Sequence, residues 1–144
     1  MKIYIDADGC PVVNLTVEIA KEHGIEVVIV KNYAHDITSD YASVVTVDIA
    51  ADSADYYIMN QVQKGDLVVT QDYGVAAIVI AKEAICITQN GLVISNANID
   101  SLLNSRHINQ QLRKTKKYYS KIKKRTREND VSFEHKLRAL IKAL

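Results

Sequence analysis

Hydrophobic positions in the first hundred residues form two patterns that alternate along the chain. Short continuous apolar runs rich in β-branched residues predict strands at 2–5, 25–30, 43–48, 67–70 and 84–88. Between them, apolar residues recur every three or four positions and predict helices, the first of which starts at Pro11 and ends at Gly24. Such continuous runs are typical of strands buried on both faces of a parallel sheet. The pattern therefore predicts an α/β fold with a mainly parallel sheet covered by helices.

The remaining segments complete one predicted domain over 1–144. Segment 74–82 is apolar almost all round, which predicts a helix packed between the sheet and its neighbours, and Asn90-Gly91 predicts a hairpin turn into a short antiparallel strand. We divide the domain into an α/β body at 1–112 that ends in a helix from Ile99, a basic segment at 113–127 and a C-terminal helix at 130–144. The last helix has an apolar stripe, and we expect Asp130 or Ser132 to cap it.

Charge is distributed unevenly although the net charge is only +1. Residues 1–100 hold 5 Lys/Arg against 14 Asp/Glu, a sum of −9, whereas residues 101–144 hold 13 against 3, a sum of +10. Nine of the basic residues lie between Arg113 and Arg127, a stretch without an acid that we expect to be a solvated loop or a frayed helix. An acidic body with a basic arm is typical of proteins that bind polyanions, so a nucleic acid is the expected partner.

Cysteine use and hydropathy indicate the compartment. The 2 cysteines, Cys10 and Cys86, have neither zinc-site spacing nor the density of a secreted disulfide scaffold. No window approaches the run of about 20 apolar residues that a spanning helix needs, and the amino terminus has no leader-like apolar stretch. We therefore expect a cytoplasmic protein with no membrane contact.

Acidic residues follow several of the predicted strands. Asp6 and Asp8 come after the first strand, Asp55 lies in the helix after the third, and Asp72 follows the fourth. With a strand order of 3-2-1-4-5, strands one and four are neighbours, and ligands bind at this edge of such sheets. Converging carboxylates repel one another, and Mg²⁺ or Mn²⁺ is the counter-charge that oxygen ligands favour. Phosphodiester hydrolysis is the leading chemistry for such a site.

Several of these side chains also have ordinary structural interpretations. Asp52 and Asp55 have the spacing of a capping box, and Asp72 could cap the helix that starts near Gly74. Asp48 and Asp66 are interpreted as surface or turn residues. We expect His23 to contact the carboxyl end of its own helix. Cys10 lies beside a helix amino terminus, which could lower the pKa of its thiol. Asn32 and His35 follow the second strand and are either substrate contacts or plain loop residues.

Four segments resemble the bacterial YaiI/YqxD family over essentially the whole chain: "IYIDADGCPV", "DSADYYI", "GDLVVTQDYGVA" and "KKRTREND". The resemblance implies a PIN-like, or NYN-like, three-layer α/β/α fold, in which related ribonucleases bind Mg²⁺ or Mn²⁺ through acids at strand ends. Asp6 and Asp72 match the acids of the first and fourth strands, whereas Asp8 and Asp55 match auxiliary acids whose spacing varies.

These observations give three hypotheses. The first is a metal-dependent nuclease that favours RNA over DNA, with Asp6 and Asp72 as catalytic residues and, together with Asp8 and Asp55, as metal ligands. The second is a non-catalytic RNA-binding or interaction module. The third is a phosphatase similar to haloacid dehalogenases with Asp6 as nucleophile, although no Thr follows Gly9 and no cap domain is visible.

The basic segment has two interpretations. It could grip a polynucleotide, or it could be a solvated linker or a homodimer contact with an acidic neighbour. In the first case the substrate-binding residues are Asn32, His35, Lys116, Lys117, Lys123, Lys124 and Arg125.

Overall fold

A computed structural model describes residues 1–50, 52–115 and 124–144, with side chains omitted at 113–115. Six strands and five helices follow one another along the chain. The strands are β1 (Lys2–Asp6), β2 (Glu26–Asn32), β3 (Ser43–Val47), β4 (Leu67–Val69), β5 (Ile85–Ile87) and β6 (Val93–Ile94). The helices are α1 (Val13–Glu22), α2 (Ser53–Gln61), α3 (Tyr73–Ala81), α4 (Ile99–Thr115) and α5 (Arg127–Lys142).

The strands form one sheet in the order β3-β2-β1-β4-β5-β6. The first five strands are parallel, and β6 pairs antiparallel with β5 after the turn at Asn90-Gly91. This confirms the predicted α/β class, the order of the five parallel strands and the short antiparallel strand. Because β1 lies between β2 and β4, the carboxyl ends of these strands meet at one edge of the sheet, which we call the carboxyl edge.

Helices bury apolar residues on both faces of the sheet. On one face, Ile3, Ile5 and Ile29 pack with apolar residues of α1 and α5. On the other face, Tyr4 and Val30 pack with apolar residues of α2, α3 and α4. The two faces of each central strand therefore belong to two separate cores, which is the three-layer arrangement that the continuous apolar runs require.

The C-terminal helix is an integral part of one of these layers. Phe133 and Leu137 are fully buried in the core beside α1, and Arg138 bridges to Glu22 of α1 at 2.7 Å and to Glu134 at 3.0 Å. Near its start, α5 passes so close to the β5–β6 turn that a Cβ on Gly91 would lie 2.8 Å from the Ser132 carbonyl oxygen. The helix therefore closes over both α1 and the hairpin.

Several predicted boundaries are wrong. Helix α1 begins at Val13, so Pro11 lies in the turn before it, and it ends at Glu22, two residues before Gly24. Helix α5 begins at Arg127 with Thr126 as its N-cap, and the Asn129 side chain accepts the Thr126 N–H at 2.9 Å, so the caps predicted at Asp130 or Ser132 are wrong.

Helix α3 also differs from its prediction, since Ile78 is 43% exposed and one side of the helix faces solvent. None of the helices in the described part of the chain combines the length and the apolar composition that a membrane span requires.

Candidate metal and nucleic-acid site

The carboxyl end of β1 delivers two carboxylates to the carboxyl edge. Asp6 is the last residue of the strand and is partly buried, and the Ala7 N–H continues the ladder by donating to the Val30 carbonyl at 3.0 Å. Asp8 follows in the turn before α1 and accepts the backbone N–H of Asn32 at 3.2 Å. The neighbouring strand β2 therefore fixes the position of both acids.

Thr70 links the acids of β1 and β4. It is buried at the end of β4, and its hydroxyl donates to Oδ2 of Asp6 at 2.9 Å while its oxygen accepts the Asp72 N–H at 3.1 Å. Asp72 is also the N-cap of α3, since its Oδ1 accepts the N–H groups of Gly74 at 2.8 Å and Val75 at 3.3 Å. The predicted cap is confirmed, and the same carboxylate lies next to the strand-end acid of β1.

Asp55 joins this group from the first turn of α2. Burial, the charges of Asp72 and Asp6, and a hydrogen bond with Asp72 raise the pKa of Asp55 to about 6. Burial and the charges of Asp8 and Asp72 also raise the pKa of Asp6, against the opposing effect of the Thr70 hydrogen bond. The structure thus gathers Asp6, Asp8, Asp55 and Asp72 within electrostatic reach of one another, and we call them the acidic cluster.

Arg106 and His35 contact the acidic cluster. Arg106 of α4 lies 3.5 Å from Oδ1 of Asp72 with its side chain 47% exposed. The Nε2 atom of His35 lies 3.7 Å from Oδ1 of Asp8. Asn32 and His35 are therefore at the carboxyl edge beside Asp8, at the location that the sequence predicts.

Two cavities of about 220 Å³ each flank the β1 acids and share Asp6 and Asp8. On the β3 side, the acidic cavity is also lined by Asn32, Asp48, Ile49, Ala50, Asp52, Ala54 and Asp55. On the β4 and β5 side, the amide cavity is also lined by Gly9, Cys10, Val69, Thr70, Gln71 and Gln89. Apart from the shared carboxylates, the amide cavity is lined by uncharged residues.

Some predicted roles of the other acids are corrected. Asp52 occupies the N-cap position of α2 with a left-handed φ of 76° and makes no side-chain cap, so its predicted capping role is wrong. Asp66 ends a turn, as one of its two interpretations predicts, but it is buried, and its carboxylate accepts the N–H groups of Lys2 at 3.0 Å and Gln63 at 2.9 Å. Asp48 is exposed as expected, but it lines the acidic cavity.

Two predictions near helix ends have opposite outcomes. The contact predicted for His23 is confirmed, since its Nδ1 lies 2.9 Å from the Ile19 carbonyl oxygen of its own helix. The lowered pKa expected for the Cys10 thiol is wrong: burial and the neighbouring Asp6 charge raise it, more strongly than a hydrogen bond at Val12 and the Arg125 charge lower it. Cys10 therefore lines the amide cavity as an uncharged thiol at neutral pH.

Most of the basic residues predicted to bind substrate lie outside the residues that the structure describes. Lys116, Lys117 and Lys123 lie outside the described ranges, and Lys124 is exposed. Arg125 has an anchoring role that the sequence analysis missed. Its guanidinium donates to Asp130 at 2.6 Å, to Oδ1 of Asn90 at 2.7 Å and to the Gln89 carbonyl at 2.9 Å.

The acidic cluster supplies only oxygen donors, which suit Mg²⁺ or Mn²⁺ better than zinc. Within residues 1–50, 52–115 and 124–144, no three His, Cys, Asp or Glu side chains are arranged as a ready-made metal site. Any ion here would therefore be held directly by fewer than three carboxylates, with water or substrate oxygens in its other coordination positions.

Sequence reasoning missed three polar residues at this edge. Thr70 is the last residue of the predicted fourth strand and Gln71 stands between it and Asp72, so their positions carried a usable signal. Arg106 is 34 residues away from Asp72 along the chain, and no local pattern connects the two. Only the packing of α4 beside α3 brings them together.

Comparison with known proteins places these features in a family. Residues 4–143 match the family described as "Uncharacterized BCR, YaiI/YqxD family". A UPF0178 protein of Alkaliphilus oremlandii is 52% identical over 134 residues, covering 93% of this chain and 86% of the relative. UPF0178 proteins of Natranaerobius thermophilus and Ruminiclostridium cellulolyticum are 44% and 46% identical, covering 98% and 99% of this chain and 96% and 93% of the relatives. No solved structure matches significantly. The chain belongs to the YaiI/YqxD family.

Proposed function

We propose that this protein is a metal-dependent nuclease that hydrolyses phosphodiester bonds, with RNA favoured over DNA. The observation that carries the proposal is the link between Asp6 and Asp72 through Thr70, with Asp55 close enough for the charges of both acids to raise its pKa. Folding holds these acids together although burial and their mutual repulsion raise the pKa values of Asp6 and Asp55. Perturbed carboxylates in a cleft are typical of functional sites, and here they lie at the ligand-binding edge of a parallel sheet.

The donor set fits Mg²⁺ or Mn²⁺. Asp6 and Asp72 would hold the ion directly, and Asp8 and Asp55 would orient its bound water. When bound, such an ion supplies an activated water and neutralises charge on the phosphodiester. The resemblance to PIN-like nucleases, which rests on the same strand-end acids, supports this assignment.

The side chains of this chain have separate tasks in the proposed hydrolysis. Thr70 holds Asp6 and the Asp72 backbone in register, so both carboxylates are positioned before substrate arrives. With a pKa of about 6, Asp55 can accept a proton from the attacking water near neutral pH. The water oxygen bonds to phosphorus, and the P–O bond of the departing nucleotide breaks.

Positive charge near the acids helps a polyanion to approach. Arg106, His35 and Asn32 are within or beside the carboxyl edge and can contact substrate phosphates. The lysines at 116, 117, 123 and 124 add charge in a segment that continues from α4, the helix that carries Arg106. We assign these residues to substrate binding.

The test is cleavage of a 5′-labelled single-stranded RNA by wild-type protein with Mg²⁺, with Mn²⁺ and with EDTA. Cleavage is expected only with the divalent ions. The Asp6→Asn and Asp72→Asn variants should lose activity by at least about a hundredfold, the usual effect of removing a key electrostatic group. Asn keeps an oxygen for the Thr70 hydrogen bond and for the α3 cap, so both variants should fold. Asp40→Asn, at the opposite edge of the sheet, is the matched control.

Other outcomes would support the other hypotheses. Undiminished cleavage by Asp6→Asn, or cleavage in EDTA, would overturn the assignment. RNA binding without cleavage, unaffected by metal or by Asp6→Asn, would indicate a non-catalytic binding module. A covalent phosphate on Asp6 after incubation with a small phosphate ester would indicate a phosphatase.

A homodimer built by the basic segment is the competing proposal for that part of the chain. It requires contact with the acidic body of a second copy, so it predicts a dimer at low salt that dissociates at high salt. Sedimentation at two ionic strengths, with and without RNA, separates this arrangement from substrate binding.

A further inference from the structure

The amide cavity differs in chemistry from the acidic cavity although both contain Asp6 and Asp8. Beyond these two carboxylates its walls are neutral: Gly9, Cys10, Thr70, Gln71 and Gln89 are among them. None of the described residues that line it is a Lys or Arg, and the nearby Arg125 guanidinium is already bonded to Asp130 and to the Gln89 carbonyl, whereas the shared carboxylates repel a phosphate. A neutral, polar part of a ligand is the group that fits this space.

The structure fixes the orientation of one amide in this cavity. The Gln89 N–H donates to Oε1 of Gln71 at 2.9 Å, which identifies the oxygen end of that side chain. The Nε2 group of Gln71 is then the end that can donate to a ligand. Gln89 is itself fixed in place, because its carbonyl accepts a hydrogen bond from Arg125 at 2.9 Å.

We propose that the amide cavity binds one unpaired nucleobase of the polynucleotide whose phosphodiester lies against the acidic cluster. The inference rests on the proposed nuclease function and extends it to the substrate class. A Gln amide hydrogen-bonds to base edges, and neutral walls accept the flat face of a base. A base stacked within a duplex cannot enter a cavity at a sheet edge without leaving its stack, so the substrate is single-stranded or locally unpaired.

The shared carboxylates explain why the two cavities act on one substrate. Asp6 and Asp8 form the boundary between them, so a nucleotide with its base in the amide cavity has its phosphate beside the acidic cluster. Gln71 precedes Asp72 directly in the chain, which couples the position of the base to the position of the reacting carboxylates.

Gln71→Glu is the informative variant, because its carboxylate still accepts the Gln89 N–H but has no Nε2 donor. Gln63→Glu, at the opposite edge of the sheet, is the control for added charge. Each protein is given a single-stranded oligoribonucleotide and a set of copies in which one nucleotide in turn lacks its base. Circular dichroism and thermal melting check that all variants fold.

For wild type and Gln63→Glu, loss of the base next to the cleaved bond should slow cleavage about tenfold. Gln71→Glu should cleave the intact oligonucleotide about tenfold more slowly, with no further slowing when that base is missing. If the effects of Gln71→Glu and of the missing base multiply, or if Gln71→Glu has no effect, the nucleobase site is overturned while the nuclease function stays intact. Failure of the wild type to cleave any RNA would instead overturn the proposed function and this inference with it.

Discussion

Asp55 carries a charge that the folded protein disfavours, since burial and the neighbouring Asp72 and Asp6 raise its pKa to about 6 from an ordinary 3.8. Between these values the native state binds more protons than the unfolded state. Protonation of Asp55 therefore stabilises the native state. This contribution to the free energy of unfolding is complete below pH 4 and is lost as the pH rises through 6. At pH 7.5 the deprotonated carboxylate destabilises the fold.

We predict that Asp55→Asn stabilises the metal-free protein at pH 7.5 by about 1 kcal/mol, a value discounted because the side chain is partly solvated. The gain should vanish at pH 4. Urea denaturation in EDTA at the two pH values measures it, with Asp40→Asn as the control outside the acidic cluster. An equal gain at both pH values would mean that the charge of Asp55 is not the cause.

Gly91 is a second position where one residue decides the local packing. Its φ of +86° is strained for other residues, and a Cβ there would lie 2.8 Å from the Ser132 carbonyl oxygen of α5. Gly65 has the same φ of +86° but open space around its Cβ position. We predict that Gly91→Ala destabilises the protein by about 2–4 kcal/mol and Gly65→Ala by about 1–2 kcal/mol.

Thermal and urea unfolding of both Gly variants separate the two causes of destabilisation. Their difference reports the steric contact with α5, because the backbone strain is shared. Equal losses would show that α5 moves aside without resistance.

The candidate site is partly predictable from the sequence at the level of residues. Asp6 and Asp72 follow strand-like runs, and a parallel order of strands places them together, so their vicinity follows from pattern and topology. The hydroxyl bridge of Thr70 depends on side-chain rotamers, and the contact of Arg106 depends on helix packing. Neither has a periodic signal, which is why the sequence analysis missed both.

Helix α5 stabilises the molecule through an apolar stripe that covers α1 and the sheet. Phe133 and Leu137 are fully buried, whereas Val131 is 58% exposed on the same helix. We predict that Leu137→Ala lowers the free energy of unfolding by about 2–5 kcal/mol, through lost transfer energy and the cavity it leaves. Val131→Ala should change it by less than about 0.5 kcal/mol. A similar effect of the two variants in urea unfolding would show that α5 is not docked in solution.

The apolar periodicity of the sequence does not predict the residues at which helices begin. The stripe of α5 was visible from Phe133 onward, but its first turn has no apolar residue that distinguishes it from the basic segment, so the Thr126 cap was missed. The left-handed φ of Asp52 likewise has no counterpart in the sequence pattern, and the spacing of a capping box predicted a hydrogen bond that does not form. Helix existence was predictable here, whereas helix starts were set by local backbone geometry.

Over the whole molecule, the parallel sheet and the separation of charge have different consequences. The two helical layers follow from continuous apolar runs, which demand burial on both faces of the sheet. The charge separation, −9 before residue 101 and +10 after it, bears on the proposed function, in which it would direct the approach of a polyanion. In the proposed function the acidic part would bear the metal site, and the basic part would supply long-range attraction.

This division predicts a salt dependence of RNA binding that belongs to the basic segment. Each phosphate neutralised by Lys or Arg releases counterions, so the logarithm of the association constant falls with the logarithm of salt concentration, by about 0.7 per contact for single strands. Replacing Lys116, Lys117, Lys123 and Lys124 with Ala should reduce that slope by about 3, whereas replacing Lys2, Lys21, Lys64 and Lys142 should leave it nearly unchanged. Fluorescence anisotropy with a labelled oligoribonucleotide in Ca²⁺ at several ionic strengths measures both slopes. Equal slopes in the two variants would mean that net charge, and not the position of the basic segment, attracts the polynucleotide.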